Sequence, residues 1–450
     1  MGIRLLVVSY FTLYQFGPGL AQLSGIVLFH GLLILPAATY VLLRTINALR
    51  TGLPVSGTLS LAFPLAYVLL YSTLYFSRSE SGAIAIGNAA TLIIHALFWH
   101  TVYSASVYRE RRRRFFQDVW SSVAVAFVAG FLYAQSYIGF HLIPGSIHNL
   151  AERAPLVRSD LDIPFFALLL GIVGAVHLWR RKRLAPTIRS VTWIRYPSVA
   201  AGIALLAVCL FGLLMYNRRT PLFALIIIIA VLALPTRWGL RSVYAFVAFP
   251  LLPMFWNAVV PIVVFLTQNP VAAALLKRNT LESYLTATNR LAVWLKSIGY
   301  IADLRIQHLW GYGGAPPAVL ESRTQWSHVH NAFMQMVFDA GFITLALAVI
   351  LIVRMYRQLT VLVQVGSYRG DALALFGALV CWLVLSGVEP ALRSVSAIHL
   401  FFIVLVSCVG NLYRETTPSP LGRRQIVLYV PRAPRKVLTA EGVRDEGILQ

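Results

Sequence analysis

Charged residues are scarce in this sequence: Asp, Glu, Lys and Arg make up 12% of its 450 residues, whereas 58% are hydrophobic. A soluble protein of this size carries about 25% charged residues, so the composition excludes an ordinary soluble domain. Apolar runs of about 20 residues recur along the chain, which is the length of a helix that crosses a bilayer. Because a backbone in lipid must satisfy its own hydrogen bonds, we predict an all-α polytopic membrane protein with about 12 transmembrane helices.

Acidic residues are particularly few, with 16 Asp and Glu against 38 Lys and Arg, which gives a formal net charge of +22. In a soluble protein this excess would suggest a nucleic-acid partner. In a membrane protein it is typical of Arg-rich cytoplasmic loops beside anionic lipids, so no nucleic-acid partner is predicted. Cysteine is also rare. Cys209, Cys381 and Cys408 lie inside apolar runs, which predicts neither a disulfide framework nor a cysteine-based metal site.

The apolar runs predict the order of the membrane spans. These lie near residues 4–20, 23–43, 55–77, 83–107, 119–141, 163–179, 196–216, 221–235, 242–266, 331–353, 371–388 and 394–412. The first span lacks a small-residue cleavage site and is predicted to stay uncleaved. The predicted domains are helices 1–9 in residues 1–266, a periplasmic loop in 267–330, helices 10–12 in 331–412 and a flexible basic tail in 413–450.

Basic residues in short loops predict the orientation, because such loops face the cytoplasm. With twelve spans, the basic clusters all fall on one face: Arg44 and Arg50, Arg109 with Arg111 to Arg114, Arg180 and Arg181 with Lys182 and Arg183, Arg237 and Arg241, Arg354 and Arg357, and the tail from Arg414. We therefore predict that both termini lie in the cytoplasm. The long loop 267–330 then lies on the opposite face of the membrane.

Within this loop, Leu281 to Ile301 has apolar residues near helical spacing, which predicts an interfacial amphipathic helix. Trp294, Trp310 and Trp326 suit the headgroup zone of a membrane. His308, in the same polar region, is predicted to lie at the protein surface. The loop is therefore expected to rest on the bilayer.

Arginine on the outer face runs against the positive-inside rule, so Arg218, Arg219 and Arg290 are informative. Guanidinium groups match phosphate oxygens, and a position at the interface suits a lipid-linked phosphate or pyrophosphate. The alternative is that these side chains reach lipid headgroups. Position alone leaves both interpretations open.

His328 and His330 stand where the outer loop enters the tenth span. Histidine is the usual general base near neutral pH, and one at this place meets a substrate from water. A His-x-His pair can also bind metal, but no third ligand stands at zinc spacing, so neither a metal site nor a cofactor is predicted. The turn before the pair lacks the Gly-Lys-Ser/Thr end of a phosphate-binding P-loop; it contains Gly311, Gly313 and Gly314.

Three motifs lie between residues 215 and 345. MYNRRTPLFALIIII (215–229) is similar to an S-R-x-x-x-L helix start, and YLTATNRLAVWLKSI (284–298) is similar to T-x-G-R-x-x-x-W. LWGYGG (309–314) followed by SHVHNAFMQMVFDAGFI (327–343) resembles G-x-G … H-x-H-N-x-x-L-x-x-x-x-x-x-G. In these motifs the chain resembles the O-antigen ligase/polymerase superfamily of bacterial envelope glycosyltransferases. The matching positions are Arg219, Arg290, Trp294, Gly311, Gly313, His330, Asn331 and Gly341.

The resemblance implies a metal-independent, inverting transfer of a glycan from an undecaprenyl-diphosphate carrier to a hydroxyl at the periplasmic face. Arg219 and Arg290 would neutralise the diphosphate leaving group, and His330 would orient or deprotonate the acceptor hydroxyl. Asn331 would position that ring or cap the following helix. The predicted substrate-binding residues are Arg218, His328, Asn331, Trp294, Gly311 and Gly313.

Other functions compete with this one. A secondary transporter would have charged residues buried in mid-span or helices broken at the midplane, whereas the predicted spans are nearly free of charge. A flippase for the lipid-linked glycan shares the ligand but has no need for a loop with His330. Within the superfamily the acceptor remains open between lipid A core, a growing glycan and a protein hydroxyl, the protein acceptor being the least favoured.

Overall fold

The structure, a computed structural model, describes residues 2–24, 26–51, 58–76, 90, 92–101, 109–138, 162–183, 199–216, 219–233, 290–303, 305–312, 329–364, 369–388 and 397–416. The regular secondary structure of these residues is entirely helical. In chain order the helices are α1 (Gly2–Ser24), α2 (Ile26–Thr51), α3 (Thr58–Phe76), α4 (Leu92–Thr101), α5 (Arg109–Ile138), α6 (Asp162–Arg183), α7 (Val199–Tyr216), α8 (Arg219–Ala233), α9 (Arg290–Ala302), α10 (Gln307–Trp310), α11 (Ala332–Gln364), α12 (Arg369–Val388) and α13 (Ala397–Thr416).

Helices α1–α8 and α11–α13 stand where eleven of the predicted spans were placed. The remaining span, 242–266, lies outside the described residues, as does the tail from residue 417. Three described segments are long and apolar enough to cross a membrane: Phe116–Tyr137, Ala332–Gln364 and Arg369–Gly387. The all-α class is confirmed for the described part of the chain, whereas the number of crossings stays a prediction.

Helices α6, α12 and α13 form the centre of the bundle. In α12 every described side chain from Gly370 to Gly387 is buried, and in α13 the same holds from Ala397 to Val409. Helices α1, α2, α5, α7 and α8 lie around them and expose large apolar side chains on their outer faces. Exposed Leu and Ile on peripheral helices are typical of lipid contact.

One end of the bundle gathers the start of α11, the end of α12 and the start of α13. The Asn331 side-chain amide donates to the carbonyl oxygen of Gly387 at 3.0 Å. The rings of Trp382 and Phe402 stack with centroids 4.3 Å apart. We call this the His330 end, because His330 immediately precedes Asn331.

The start of α8 lies at the same end. Phe165, near the start of α6, contacts Phe401 with ring centroids 5.4 Å apart. Gly171, two turns further along α6, faces the side chains of Cys209 on α7 and Leu225 on α8. The end of α7 and the start of α8 are therefore level with the start of α6.

Basic residues gather at the opposite end, which we call the basic end. Gly130 of α5 contacts both Gln15 and Ile163, so α1 and α5 begin far from the start of α6. Arg4 in the first turn of α1 forms an ion pair with Asp118 in the third turn of α5, with a nitrogen–oxygen distance of 3.0 Å. Further basic positions at this end are Arg109, the 111–114 run, the 180–183 run, Arg354 and Arg357.

Candidate active site

Helix α11 consists of two helical parts separated by Gly341, whose backbone is non-helical with φ 77° and ψ 174°. The first part, 332–340, is capped by Asn331. The side-chain oxygen of Asn331 accepts the backbone N–H groups of Phe333 and Met334, each at 3.0 Å, which is the usual geometry of a helix N-cap. Of the two roles that the sequence left open for Asn331, the structure shows the cap.

His330 lies directly before this cap and is 8% exposed. Its φ is 53°, in the left-handed region. Few residues other than glycine adopt this conformation, and holding one there costs about 1–3 kcal/mol. The neighbouring structure must therefore stabilise the backbone at His330.

The preceding peptide provides that stabilisation. The backbone N–H of Val329 donates to the side-chain oxygen of Gln335 at 2.9 Å. The carbonyl oxygen of Val329 accepts the indole N–H of Trp294, also at 2.9 Å. Gln335 in turn donates to a carboxylate oxygen of Asp339 at 2.7 Å. We call these buried bonds the Val329 clamp, since they hold the backbone before His330 from both sides.

Trp294 is 2% exposed and packs in a small cluster with Val293, Val329 and Phe338. Its predicted place in the headgroup zone is therefore wrong, because the indole faces the protein and its N–H has a partner in the Val329 clamp. The interfacial interpretation of this helix changes for the same reason. In the described part of α9, the apolar residues Val293 and Trp294 pack against the loop and α11 instead of lipid.

Gly311 and Gly341 lie where two backbone segments cross. A Cβ on Gly311 would come within 2.6 Å of the backbone nitrogen of Ala340, and a Cβ on Gly341 would overlap the carbonyl of Leu309. The backbone N–H of Tyr312 also donates to the carbonyl oxygen of Phe338. Gly311 thus has a structural reason to be glycine, and its predicted contact with substrate stays a prediction.

His308 is buried, contrary to the predicted surface position. Only 1% of it is exposed; its Nδ1 accepts the backbone N–H of Arg305 at 3.1 Å, and its ring meets that of Tyr300 edge-on at 5.2 Å. Burial and, to a smaller extent, the charge of Arg305 lower the pKa of His308, while Asp303 opposes this. The neutral ring therefore serves as a packing element of the loop.

The structure brings several predicted site residues to one place and leaves others undescribed. Arg290 begins α9 one helical turn before Trp294. The indole N–H of Trp294 donates to the carbonyl oxygen of Val329, the residue before His330. Arg219 begins α8 at the His330 end. Outside the described residues are Arg218, Gly313 and His328, together with the side chains of Arg219 and Arg290. A common cavity for Arg219, Arg290 and His330 stays a prediction.

Gln335 and Asp339 were missed as contributors to the site. A signal was present, because Asn331, Gln335 and Asp339 are spaced four residues apart and therefore share one helix face.

No group of three His, Cys, Asp or Glu side chains close enough to hold a metal ion occurs within the described ranges.

The cap at Asn331 carries a direct prediction. Replacing Asn331 by Ala removes the cap and the bond to Gly387, and we expect a loss of at least about 1 kcal/mol of stability. Asn331→Ser keeps a cap oxygen but is too short to reach Gly387, so its melting temperature in detergent should lie between those of the Ala variant and the wild type. Equal melting temperatures for wild type and Asn331→Ala would contradict the structural role.

Residues 204–349 match the family model described as O-antigen ligase. No curated protein matches the chain. The matched segment runs from α7 through the bend of α11, so it contains Arg219, Arg290, the Val329 clamp and His330.

Proposed function

We propose that the chain transfers a glycan from undecaprenyl diphosphate to a hydroxyl acceptor, because residues 204–349 match the family model described as O-antigen ligase. The reaction takes place at the periplasmic face of a bacterial inner membrane. The observation that carries this proposal is His330, held in a left-handed conformation by the Val329 clamp. It lies at the end of the bundle where α8 also begins with Arg219.

In the proposed reaction, the acceptor oxygen forms a bond to the anomeric carbon of the glycan from the side opposite the diphosphate. The bond from that carbon to the diphosphate oxygen breaks, so the configuration inverts and undecaprenyl diphosphate leaves. His330 takes the proton of the acceptor hydroxyl. Arg219 and Arg290 stabilise the negative charge that grows on the leaving group, with Arg218 assisting, so no metal ion is needed for this role.

The two ends of the bundle support the proposed orientation. The basic end carries the runs 111–114 and 180–183, and positive residues beside membrane helices are typical of the cytoplasmic side. His330 is at the other end. The acceptor and the lipid-linked diphosphate then meet it from the periplasm.

The buried carboxylates bear on the transporter alternative. In the part of the chain that the structure describes, they are Asp162, Asp339 and Asp371. Asp162 and Asp371 lie in the first turn of a helix, away from the mid-span positions that ion-coupled transport uses. Asp339 lies inside the predicted span 331–353, where its carboxylate accepts a hydrogen bond from Gln335 of the Val329 clamp and so supports the backbone before His330.

The test uses purified protein in liposomes with lipid-linked glycan and either lipid A core or glycan as acceptor. Product on a gel reports the reaction, since a ladder indicates polymerisation and a single shift of lipid A core indicates ligation. Absence of transfer to lipid A core, glycan and protein hydroxyls would overturn the proposal.

Substitution of Arg290 tests its proposed role in this assay most directly. We expect Arg290→Ala to lower the transfer rate by about 10²–10³-fold, because a fixed positive charge on the leaving group is lost. Arg290→Lys keeps the charge but loses the guanidinium fork, so its rate should be intermediate. Lys296→Ala, at an exposed position on the same helix, is the matched control and should stay within twofold of wild type. An unchanged rate for Arg290→Ala would remove Arg290 from the site.

A further inference from the structure

The short helix α10 and the residue before it expose apolar side chains outside the predicted spans. Ile306 is 73% exposed, Leu309 43% and Trp310 44%. We call these three residues the α10 patch. Among the other large apolar residues that the structure describes in this loop, Val293 and Trp294 are buried, and Ile298, Tyr300 and Ile301 are half-buried. Within the described part of the loop, exposure of large apolar side chains is therefore confined to this turn.

The position of the patch along the membrane normal follows from α11. Helix α10 rests on α11 at Gly341, where the Leu309 carbonyl lies against the glycine. Arg357, an exposed basic residue two turns before the far end of α11, lies sixteen residues after Gly341. At 1.5 Å per residue this is about 24 Å, which is shorter than the hydrocarbon core of a bilayer at about 30 Å.

The rest of the apolar surface needed to cover the hydrocarbon core is not supplied by α11 itself. Beyond Gly341 toward the His330 end, the side chains of 332–340 are buried, apart from the half-buried Met334. The second part of α11 exposes Ala346, Val349 and Ile350 on one side, which a helix that crosses the bilayer turns toward lipid. Phe342 lies one turn before Ala346 on that face, and its ring contacts His308 of α10 at 6.5 Å between centroids. The α10 patch therefore continues the lipid-facing stripe of α11 at the level where that stripe ends.

We propose that the α10 patch lies in the boundary region of the outer leaflet and anchors the His330 loop to the bilayer. Trp is enriched at such boundaries, and the exposed neighbours Asp303 and Arg305 are polar residues suited to the headgroup layer. Arg305 is also held over the ring of Tyr300, 4.9 Å from its centroid. The interfacial role predicted for the apolar face of α9 thus belongs to α10.

The occupant of the patch is phospholipid of the outer leaflet, and the continuity with the α11 stripe argues for it. A partner protein would require a separate surface above the membrane, whereas this patch joins one already facing lipid. The anchor is independent of the transfer reaction, so a failure of either proposal leaves the other in place.

Site-directed fluorescence tests the anchor in the full-length protein. The sequence contains three cysteines, and all are buried, so a cysteine introduced by Ile306→Cys or Trp310→Cys takes an NBD label selectively. Lys296→Cys, exposed on α9, is the control site. The labelled proteins are reconstituted in phosphatidylcholine/phosphatidylglycerol vesicles with or without lipids that carry a doxyl quencher near the glycerol backbone.

We expect blue-shifted emission and at least twofold quenching by the doxyl lipid at positions 306 and 310, with little quenching at 296. Equal quenching at all three sites would overturn the proposal. Blue-shifted emission that the doxyl lipid leaves unquenched would also overturn it, because a protein would then cover the patch. Two labelled sites ensure that a folding defect in one variant does not leave the question open.

Discussion

Replacing His330 by Asn is expected to lower the transfer rate by about 10²–10⁴-fold while leaving the protein folded. A general base contributes a rate factor of this size. Asn tolerates the left-handed region better than most residues, so it preserves the backbone at φ 53° while removing the imidazole. The measurement is transfer to acceptor in liposomes beside the melting temperature in detergent.

Two further variants separate chemistry from backbone support. His330→Gly relaxes the left-handed backbone but lacks a base, and its rate should fall as far as that of His330→Asn. Gln335→Leu removes the bond to the Val329 N–H and leaves the imidazole in place, so its rate should fall less. A His330→Asn enzyme that works at the wild-type rate would exclude His330 as the base.

The positions of the helices follow largely from the sequence. Helix α12 was predicted at 371–388 and runs Arg369–Val388, and α7 was predicted at 196–216 and runs Val199–Tyr216. Apolar runs flanked by charged or turn residues mark such ends clearly, because a backbone in lipid has few alternatives to a helix.

The bend in α11 was not predictable in the same way. DAGFI (339–343) reads as part of one continuous apolar run, and a single glycine inside a helix pattern has many explanations. The cause of the bend is the loop at Leu309 and Gly311, about thirty residues earlier in the chain. Only tertiary contact between the two backbones shows why Gly341 leaves the helical conformation.

The sequence also does not predict what the apolar face of a helix packs against. Periodicity placed Val293 and Trp294 on the apolar side of α9, and both are buried, but an apolar side chain packs equally well on lipid or on protein. The hydrogen bond from the Trp294 indole to the Val329 carbonyl shows that this side of α9 packs on protein. His308 shows the reverse error, because a histidine in an outer loop was expected at the surface, whereas its ring packs among aromatic rings, Tyr300 and Tyr312 among them.

The crossing of the two glycines predicts the largest loss of stability. Gly341→Ala introduces a Cβ against the Leu309 carbonyl, at a backbone with φ 77° and ψ 174°. This region of the backbone map is essentially restricted to glycine, and occupying it with another residue costs about 1–3 kcal/mol. Overpacking adds about 1–3 kcal/mol, and the opposing atoms are main-chain atoms that cannot change rotamer. We therefore expect a total loss of about 2–6 kcal/mol.

The matched control is Gly299→Ala on α9, where an added Cβ meets nothing within 4 Å. Ala is favoured over Gly in a helix by about 1 kcal/mol, so this variant should melt at or above the wild-type temperature. Gly311→Ala should resemble Gly341→Ala, because its φ is 75° and its Cβ would meet the backbone of residues 339–341. Melting curves in detergent for the three variants decide the matter. Equal melting temperatures for Gly341→Ala and Gly299→Ala would show that the two backbones do not cross at Gly311 and Gly341. The helical part 332–340, which carries Gln335 of the Val329 clamp, would then not be fixed at its end by this crossing.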